Sequence, residues 1–253
     1  MSRRVVVTGV GLISSVGIGT EANWKGVCEG RSGIGPITHF DASQFSARIA
    51  GEVKNFDPLQ FMGRKDVKKV DVFIQYALAA SQFAVEDAHL EITPSNADAV
   101  GVYIASGIGG FSTIEREHLE LINGGPRRIS PFFIPASIIN LAAGQVSIHH
   151  GLRGPNIALV TACTTSTHSI GLACRLIQYG DADIMVAGGS EMAFTPLGVG
   201  SFCQARALSL RNNEPARASR PWDKDRDGFV MAEGGGAIVL EEYEHAKARG
   251  AQI

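Results

Sequence analysis

The chain has 253 residues, 45% apolar and 19% charged, with a formal net charge of −2 at pH 7. This balance excludes a disordered chain and leaves no global attraction to nucleic acid or an anionic membrane, so any basic recognition must be local. Four cysteines without CxxC pairing, and without metal-ligand spacing to the seven histidines, exclude a disulfide scaffold and a metal site and fit a reducing cytoplasm.

The N-terminal run MSRRVVVTGVGLISSVG has the basic start and apolar stretch of a signal peptide. Thr8 and several glycines interrupt it and no Ala-x-Ala cleavage site follows, so a first buried strand over Val5–Thr8 is the reading. No apolar run approaches the length of a membrane span. A helix opened by Thr20 as N-cap runs to about Glu29, and a looser stretch with Gly30, Gly33, Gly35 and Pro36 follows. Val70–His89 is alanine-rich with apolar residues at helical spacing. Val100–Ser106 reads as a buried strand closed by Gly107-Ile108-Gly109-Gly110. Helices are expected over Ser112–Leu121 and Ala136–His150, with the loop NGGPRRISPFFIP between them.

Next come Ile157–Ala162, read as a strand buried on both faces, a helix over Thr164–Tyr179, and a buried strand at Ile184–Ala187. Arg206–Asp227 is polar and reads as a surface excursion. Phe229–Ala232 and Ala237–Glu242 read as paired strands about a Glu-Gly-Gly-Gly turn, and a short helix over Tyr243–Arg249 ends at Gly250. The alternation predicts a layered α/β domain with a mostly parallel, five-stranded sheet and one antiparallel hairpin.

Cys163 falls at the turn from strand to helix. Unsatisfied backbone N–H groups and the positive end of the helix dipole converge there and favour thiolate, the nucleophilic form. Most free cysteines are small buried hydrophobes, but this position among small residues points to a reactive one. The following helix carries Arg175 as its one charged residue and is otherwise small or apolar, which predicts a buried central helix. His168 lies five residues beyond Cys163, an offset that turns it away from the cysteine, since helical neighbours sit three or four apart. It reads as a packing residue.

Seen together, VVVTGVGLISSVG, SGIGG, NGGPRRISPFFIP, GLRGPNIALVTAC, YGDADIMVAGGSE, TPLGVGSF and SRPWDKDRDGFV resemble the β-ketoacyl-acyl-carrier-protein synthases, nearest to the type II elongating condensing enzymes. The series runs through the whole chain in order. The resemblance implies the thiolase-like fold, built in the family from two similar α/β halves. Residues 1–253 are expected to be the N-terminal half, a layered α-β-α sandwich.

The resemblance further implies an acyltransferase of fatty acid synthesis, cytoplasmic and homodimeric. Cys163 would accept an acyl chain from acyl carrier protein before decarboxylative condensation with a malonyl group. No metal or redox cofactor is implied, because the carrier brings the substrate on its phosphopantetheine. The family's decarboxylating histidines, its lysine and a second oxyanion N–H fall in the later half. None of the histidines here stands in a His-Gly-Thr context, so condensation is not expected of this chain alone.

By the same resemblance Ile108, Phe133, Ile134, Ala162, Ala193, Gly198 and Phe202 would line the acyl channel, Phe133 and its neighbours reaching across a dimer interface. Lys65, Lys69, Arg127, Arg128 and Arg206 would dock an acidic carrier protein. Read from the residues alone, the first set is ordinary core and the second a solvated face. A non-catalytic carrier-binding or dimerising domain is the rival reading. The glycine clusters at 9–17, 107–110 and 188–189 lack the spacing of a dinucleotide fingerprint and read as tight turns and close backbone packing. The role of Glu233 is left open.

Overall fold

The computed structural model describes residues 3–253. In chain order the elements are β1 (Val5–Ser14), β2 (Gly17–Ile18), α1 (Thr20–Cys28), β3 (Gly35–Pro36), β4 (Ile49–Ala50), α2 (Arg64–Val67), α3 (Val72–Asp87) and β5 (Val100–Ala105). There follow α4 (Phe111–Gly124), α5 (Phe133–Ser137), α6 (Leu141–His150), β6 (Asn156–Ile157), α7 (Thr165–Tyr179), β7 (Ile184–Glu191), α8 (Pro196–Gln204), β8 (Gly234–Glu242) and α9 (Tyr243–Ala248).

The main sheet has the order β2-β1-β8-β7-β5-β6. β5 pairs parallel with β6 and with β7, whereas β8 runs antiparallel to both β7 and β1, and β1 runs antiparallel to β2. The α/β class holds, but the expected five-stranded, mostly parallel sheet becomes six-stranded and mixed. The cause is β8, which enters between β1 and β7 after the long excursion rather than folding into a hairpin. Gly234, Gly235 and Gly236 lie inside its ladders, not in a turn, while Phe229 and Ala232 make single bridges to Leu208 and Gly51.

Helix α3 explains much of the N-terminal patterning. Asp71 caps it by accepting from the Phe73 N–H, and Phe73–Ser81 are all buried. It lies on the backbone of β1: a Cβ at Gly9 would stand 2.2 Å from the Ala84 carbonyl oxygen, and one at Gly11 would stand 2.0 Å from that of Ala80. These glycines therefore sit inside a ten-residue strand instead of ending it at Thr8. Val100, Val102, Ile104, Val186 and Val239 form the core on the α3 side, joined by Ala142 and Val146 of α6. On the opposite face Tyr103, Met185, Ala187 and Leu240 pack against Ala173 and Ile177 of α7. The result is three layers, α-β-α.

Three further expectations change. The helix foreseen over Ala136–His150 is two, because Ile138 is extended and the Ser137 carbonyl accepts the Gly110 N–H instead of continuing the helix. Gly19 rather than Thr20 stands at the N-cap of α1, and the Thr20 hydroxyl donates to the Val10 carbonyl at 2.6 Å. The strand before Cys163 shrinks to Asn156–Ile157 at the sheet edge, with Ile157 38% and Val160 52% exposed. No helix among the described residues is long and apolar enough to cross a membrane.

Candidate active site

From the edge strand the chain passes through residues 158–161 into a tight 3₁₀ turn, Ala162–Thr164, that runs directly into α7. Ala162 takes a left-handed φ of 52°, a conformation that costs a residue with a Cβ. Threonines on both sides hold this elbow. The Thr161 N–H donates to Thr165 Oγ1 at 2.9 Å, and Thr164 Oγ1 donates to the Thr161 carbonyl at 2.7 Å. His168 is exposed, and its Nδ1 lies 2.8 Å from Thr161 Oγ1, which ties α7 to the elbow.

Cys163 stands exposed at the apex. Its backbone N–H is among those that a helix start leaves without an internal acceptor. The other cysteines lack this setting: Cys28 ends α1, Cys174 lies within α7 and Cys203 packs beside the Phe194 cluster.

Helix α7 is not sheathed as expected. Thr165, Ser169, Ala173 and Ile177 form a buried stripe against the sheet, while Thr167, His168, Gly171 and Leu172 are exposed. Small residues kept the helix slim on both sides, but only one side meets another element among the described residues.

Cys163 opens on a cavity of about 690 Å³, a volume in the range of small-molecule sites. Ile108, Ala162, Ala193 and Phe202 line it together with Leu12, Phe229 and Met231. Ser14, Asn23, Ser190 and Glu233 are among its polar lining residues.

Glu233 is only 4% exposed. Its Oε1 accepts from the Val53 N–H at 2.8 Å and lies 3.5 Å from His39 Nε2. Burial pushes its carboxyl above the usual range, against the pull of the Val53 N–H and His39. Burial, and next Glu233, drive the Tyr76 phenol far above its ordinary value. Oε2 of Glu233 and Oγ of Ser190 find no hydrogen-bond partner among the described residues.

Three of the expected channel residues do not line this cavity. Gly198 is buried in α8, where a Cβ would stand 2.1 Å from the Ala193 carbonyl oxygen, so it acts by allowing close packing. Phe133 lines a separate cavity of about 410 Å³ with Asp71, Gln75 and Arg116. Ile134 points outward and is exposed.

Of the basic residues, Lys65, Arg127, Arg128 and Arg206 are exposed and Lys69 is half-buried. Lys69 pairs with Asp66 at 2.7 Å and sits over the Phe132 ring, which joins the α2 corner to the 126–133 loop. Arg128 is paired with Glu120, and Arg206 closes α8 with a left-handed φ of 55°.

Sequence reasoning missed Phe229 and Glu191 as cavity residues. Phe229 was read as a strand residue, although an aromatic directly after a polar excursion already marked a return to apolar surroundings. Glu191 is a carboxylate ending a buried Gly-Gly-Ser strand, a signal that was present and unused.

Comparison with known proteins adds the following. Residues 2–246 match the family model described as the β-ketoacyl synthase N-terminal domain. The chain is 60% identical over 251 residues to the 3-oxoacyl-[acyl-carrier-protein] synthase 2 of Vibrio harveyi, covering 99% of this chain and 60% of that protein. A crystal structure of a β-ketoacyl synthase from Burkholderia phymatum superposes with a TM-score of 0.89 at 31% identity, over 100% of this chain and 62% of that one. A type II polyketide ketosynthase solved in complex with its acyl-carrier protein superposes with a TM-score of 0.86 at 33% identity, over 100% and 61%. The chain thus spans about 60% of the length of the curated relatives it matches.

Proposed function

Because the chain belongs to the β-ketoacyl synthase family through that family's N-terminal domain, we propose that it carries the acyl-accepting centre of a 3-oxoacyl-[acyl-carrier-protein] synthase of fatty acid synthesis. Cys163 is the nucleophile. Its Sγ, as thiolate, attacks the carbonyl carbon of an acyl thioester held on the phosphopantetheine arm of acyl carrier protein. The Cys163 N–H donates to the oxyanion of the tetrahedral intermediate. Collapse expels the arm's thiolate, which takes up a proton, and leaves the acyl group as a thioester on Cys163.

In the second half-reaction a malonyl group on carrier protein loses CO₂. Its carbanion attacks the Cys163 thioester, forming the new C–C bond and releasing the cysteine thiolate. The family resemblance assigns the decarboxylating histidines, the lysine and a second oxyanion donor to positions beyond those matched here. Residues 1–253 therefore supply acyl transfer, and condensation requires the rest of the family's length. The exposed outer face of α7 is the surface that such a second half would cover, which completes the five layers of the thiolase-like fold.

The chemistry uses neither metal nor redox group. Carrier docking is assigned to Lys65, Lys69, Arg127, Arg128 and Arg206, supported by the exposure of all but the half-buried Lys69 and by the acidity of carrier proteins. A homodimer built on the apolar surface around Phe132, Ile134 and Ile138 would bring Phe133 and Ile134 toward the partner's acyl channel. The setting is cytoplasmic.

One observation carries this reading: an exposed thiol on a left-handed strand–helix elbow, at the mouth of a largely apolar cavity. Its test is incubation of the full-length protein with a long-chain acyl-carrier thioester followed by peptide mass mapping. The acyl mass is expected on the Cys163 peptide and absent from Cys163→Ala. Acylation of Cys28, Cys174 or Cys203 in place of Cys163 would overturn it.

A further inference from the structure

The Gly107–Gly110 turn joins β5 to α4, the kind of glycine-rich strand–helix junction whose successive N–H groups form an anion-binding nest. Here the anion is built in. The carboxylate of Glu191, at the end of the neighbouring parallel strand β7, sits within the turn. The Gly107 and Ile108 N–H groups donate to its Oε2 at 2.9 and 3.0 Å, and Ser106 Oγ donates to its Oε1 at 2.8 Å. Ser106 Oγ in turn accepts the Gly109 N–H at 3.1 Å. One carboxylate thereby holds, directly or through Ser106, every backbone N–H from Gly107 to Gly109. No lysine or arginine pairs with Glu191 among the ion pairs of the described residues. Burial pushes its carboxyl above the usual range, against those hydrogen bonds, so the group is kept at an energetic cost.

The turn is also a wall of the Cys163 cavity. Ser106, Gly107, Ile108 and Glu191 all line it. A Cβ on Gly107 would stand 2.9 Å from Glu191 Oε2 and 3.4 Å from the carbonyl oxygen of Ala162, the residue that sets the elbow. We infer that Glu191 is a positioning residue that sets the length of acyl chain admitted beside Cys163, by holding the Gly107–Gly109 backbone and with it the Ile108 side chain. The carboxylate touches no reacting atom in this role; its work is to place Ile108. The inference rests on the reading of Cys163 as acyl acceptor, and its test is chosen to stand apart from that reading.

The test uses the full-length protein and two readouts. One is amide hydrogen exchange at Gly107 and Ile108. The other is the rate at which N-alkyl iodoacetamides, from methyl to dodecyl, alkylate Cys163, expressed as the ratio of long-chain to short-chain rates. Glu191→Ala, which removes the acceptor of both amides, is expected to speed their exchange and to change the alkylation ratio by about tenfold each. Glu191→Gln keeps an acceptor oxygen for the two N–H groups and is expected to hold the ratio within about twofold of the parent.

Unchanged exchange or an unchanged ratio in Glu191→Ala overturns the inference. So does an equal fall for every chain length, which is what a purely structural role would give, and so does a Gln variant that tracks Ala. If Glu191→Ala does not fold, Ser106→Ala removes the link to Gly109 and the hydrogen bond to Glu191 Oε1 while leaving the Gly107 and Ile108 bonds; a ratio shifted in the same direction supports the inference, and an unshifted one overturns it. Iodoacetamides need no carrier protein. Failure of acyl-carrier thioesters to label Cys163 would therefore sink the functional reading while leaving this ratio readable.

Discussion

Cys163 owes its setting to the residue before it. Ala162 holds a left-handed φ of 52°, which costs a non-glycine residue about 1–2 kcal/mol, and Thr161, Thr164 and Thr165 supply the hydrogen bonds that keep it there. Local strain held in place by its surroundings is what an exposed, reactive position requires. Ile108 is partly exposed and lines the same cavity as Cys163. Enlarging it narrows the cavity, so Ile108→Phe should keep acylation of Cys163 by short acyl-carrier thioesters and lose it for long ones. Uniform acceptance across a chain-length series would remove Ile108 from the channel. The elbow position of Cys163 was legible from local pattern, whereas Ile108 came from the family resemblance alone and reads from the residues as ordinary core. Glu191 was not legible in this way, since its partner Ser106 lies 85 residues away.

Among elements, α3 and α7 were both predicted from composition, and both form close to where they were placed. Their burial differs for a reason no single-helix pattern carries. The length of α3 lies on three strands, whereas α7 meets the sheet along the stripe Thr165, Ser169, Ala173 and Ile177 alone. The glycines of β1 are the counterpart of α3. With a Cβ at position 11 placed 2.0 Å from the Ala80 carbonyl oxygen, Gly11→Ala must push helix and strand apart and should cost at least about 1–3 kcal/mol. A urea midpoint equal to that of the parent would show that the helix yields freely. The same crowding accounts for Gly188, where a Cβ would meet the Gly236 carbonyl oxygen at 2.0 Å. Of the two roles read for the glycine clusters, close backbone packing is the one seen at Gly9, Gly11 and Gly188.

On the scale of the whole molecule, a buried ion network ties the last elements to the first. Glu241 is fully buried and accepts from Thr8 Oγ1 at 3.0 Å, from His245 Nδ1 at 2.5 Å and from Arg249 Nε and Nη2 at 2.7 Å each, while Arg249 also donates to the Ala88 carbonyl. It joins β1, β8, α9 and the end of α3. Burial opposes its ionisation, yet the bonds from Arg249 and His245 prevail and hold the carboxyl below its ordinary value.

On the other side of α3, His150 packs against Ser81 at 3.2 Å. Burial, aided by the charge of His149, lowers its pKa from 6.5 to about 4. Both groups have depressed folded-state values, so in each case the unfolded chain takes up the proton first as pH falls, and stability is lost on acidification. The His150 contribution, on the order of 3 kcal/mol, is complete above its unfolded value and disappears between pH 6.5 and about 4. That of Glu241 persists until the pH falls through the range below an ordinary glutamate. Urea midpoints should fall between pH 7 and pH 5, and less steeply in His150→Gln; parallel slopes for the two proteins would discard the assignment to His150.

The amino-acid sequence by itself determined the long helices α3 and α7, the buried strands β5 and β7, the placing of Cys163 at an elbow, and the family to which the motif series belongs. These depend on periodicity, propensity and residue order, all of which are local or linear. Only the tertiary structure decided that β8 slips antiparallel between β1 and β7, that the glycines of β1, β7 and β8 lie inside strands, and that one face of α7 stays open. Only there do Phe229 and Glu191 join the cavity beside Cys163. Each of those outcomes depends on contacts between residues far apart in the chain, and such contacts leave no period in the sequence to read.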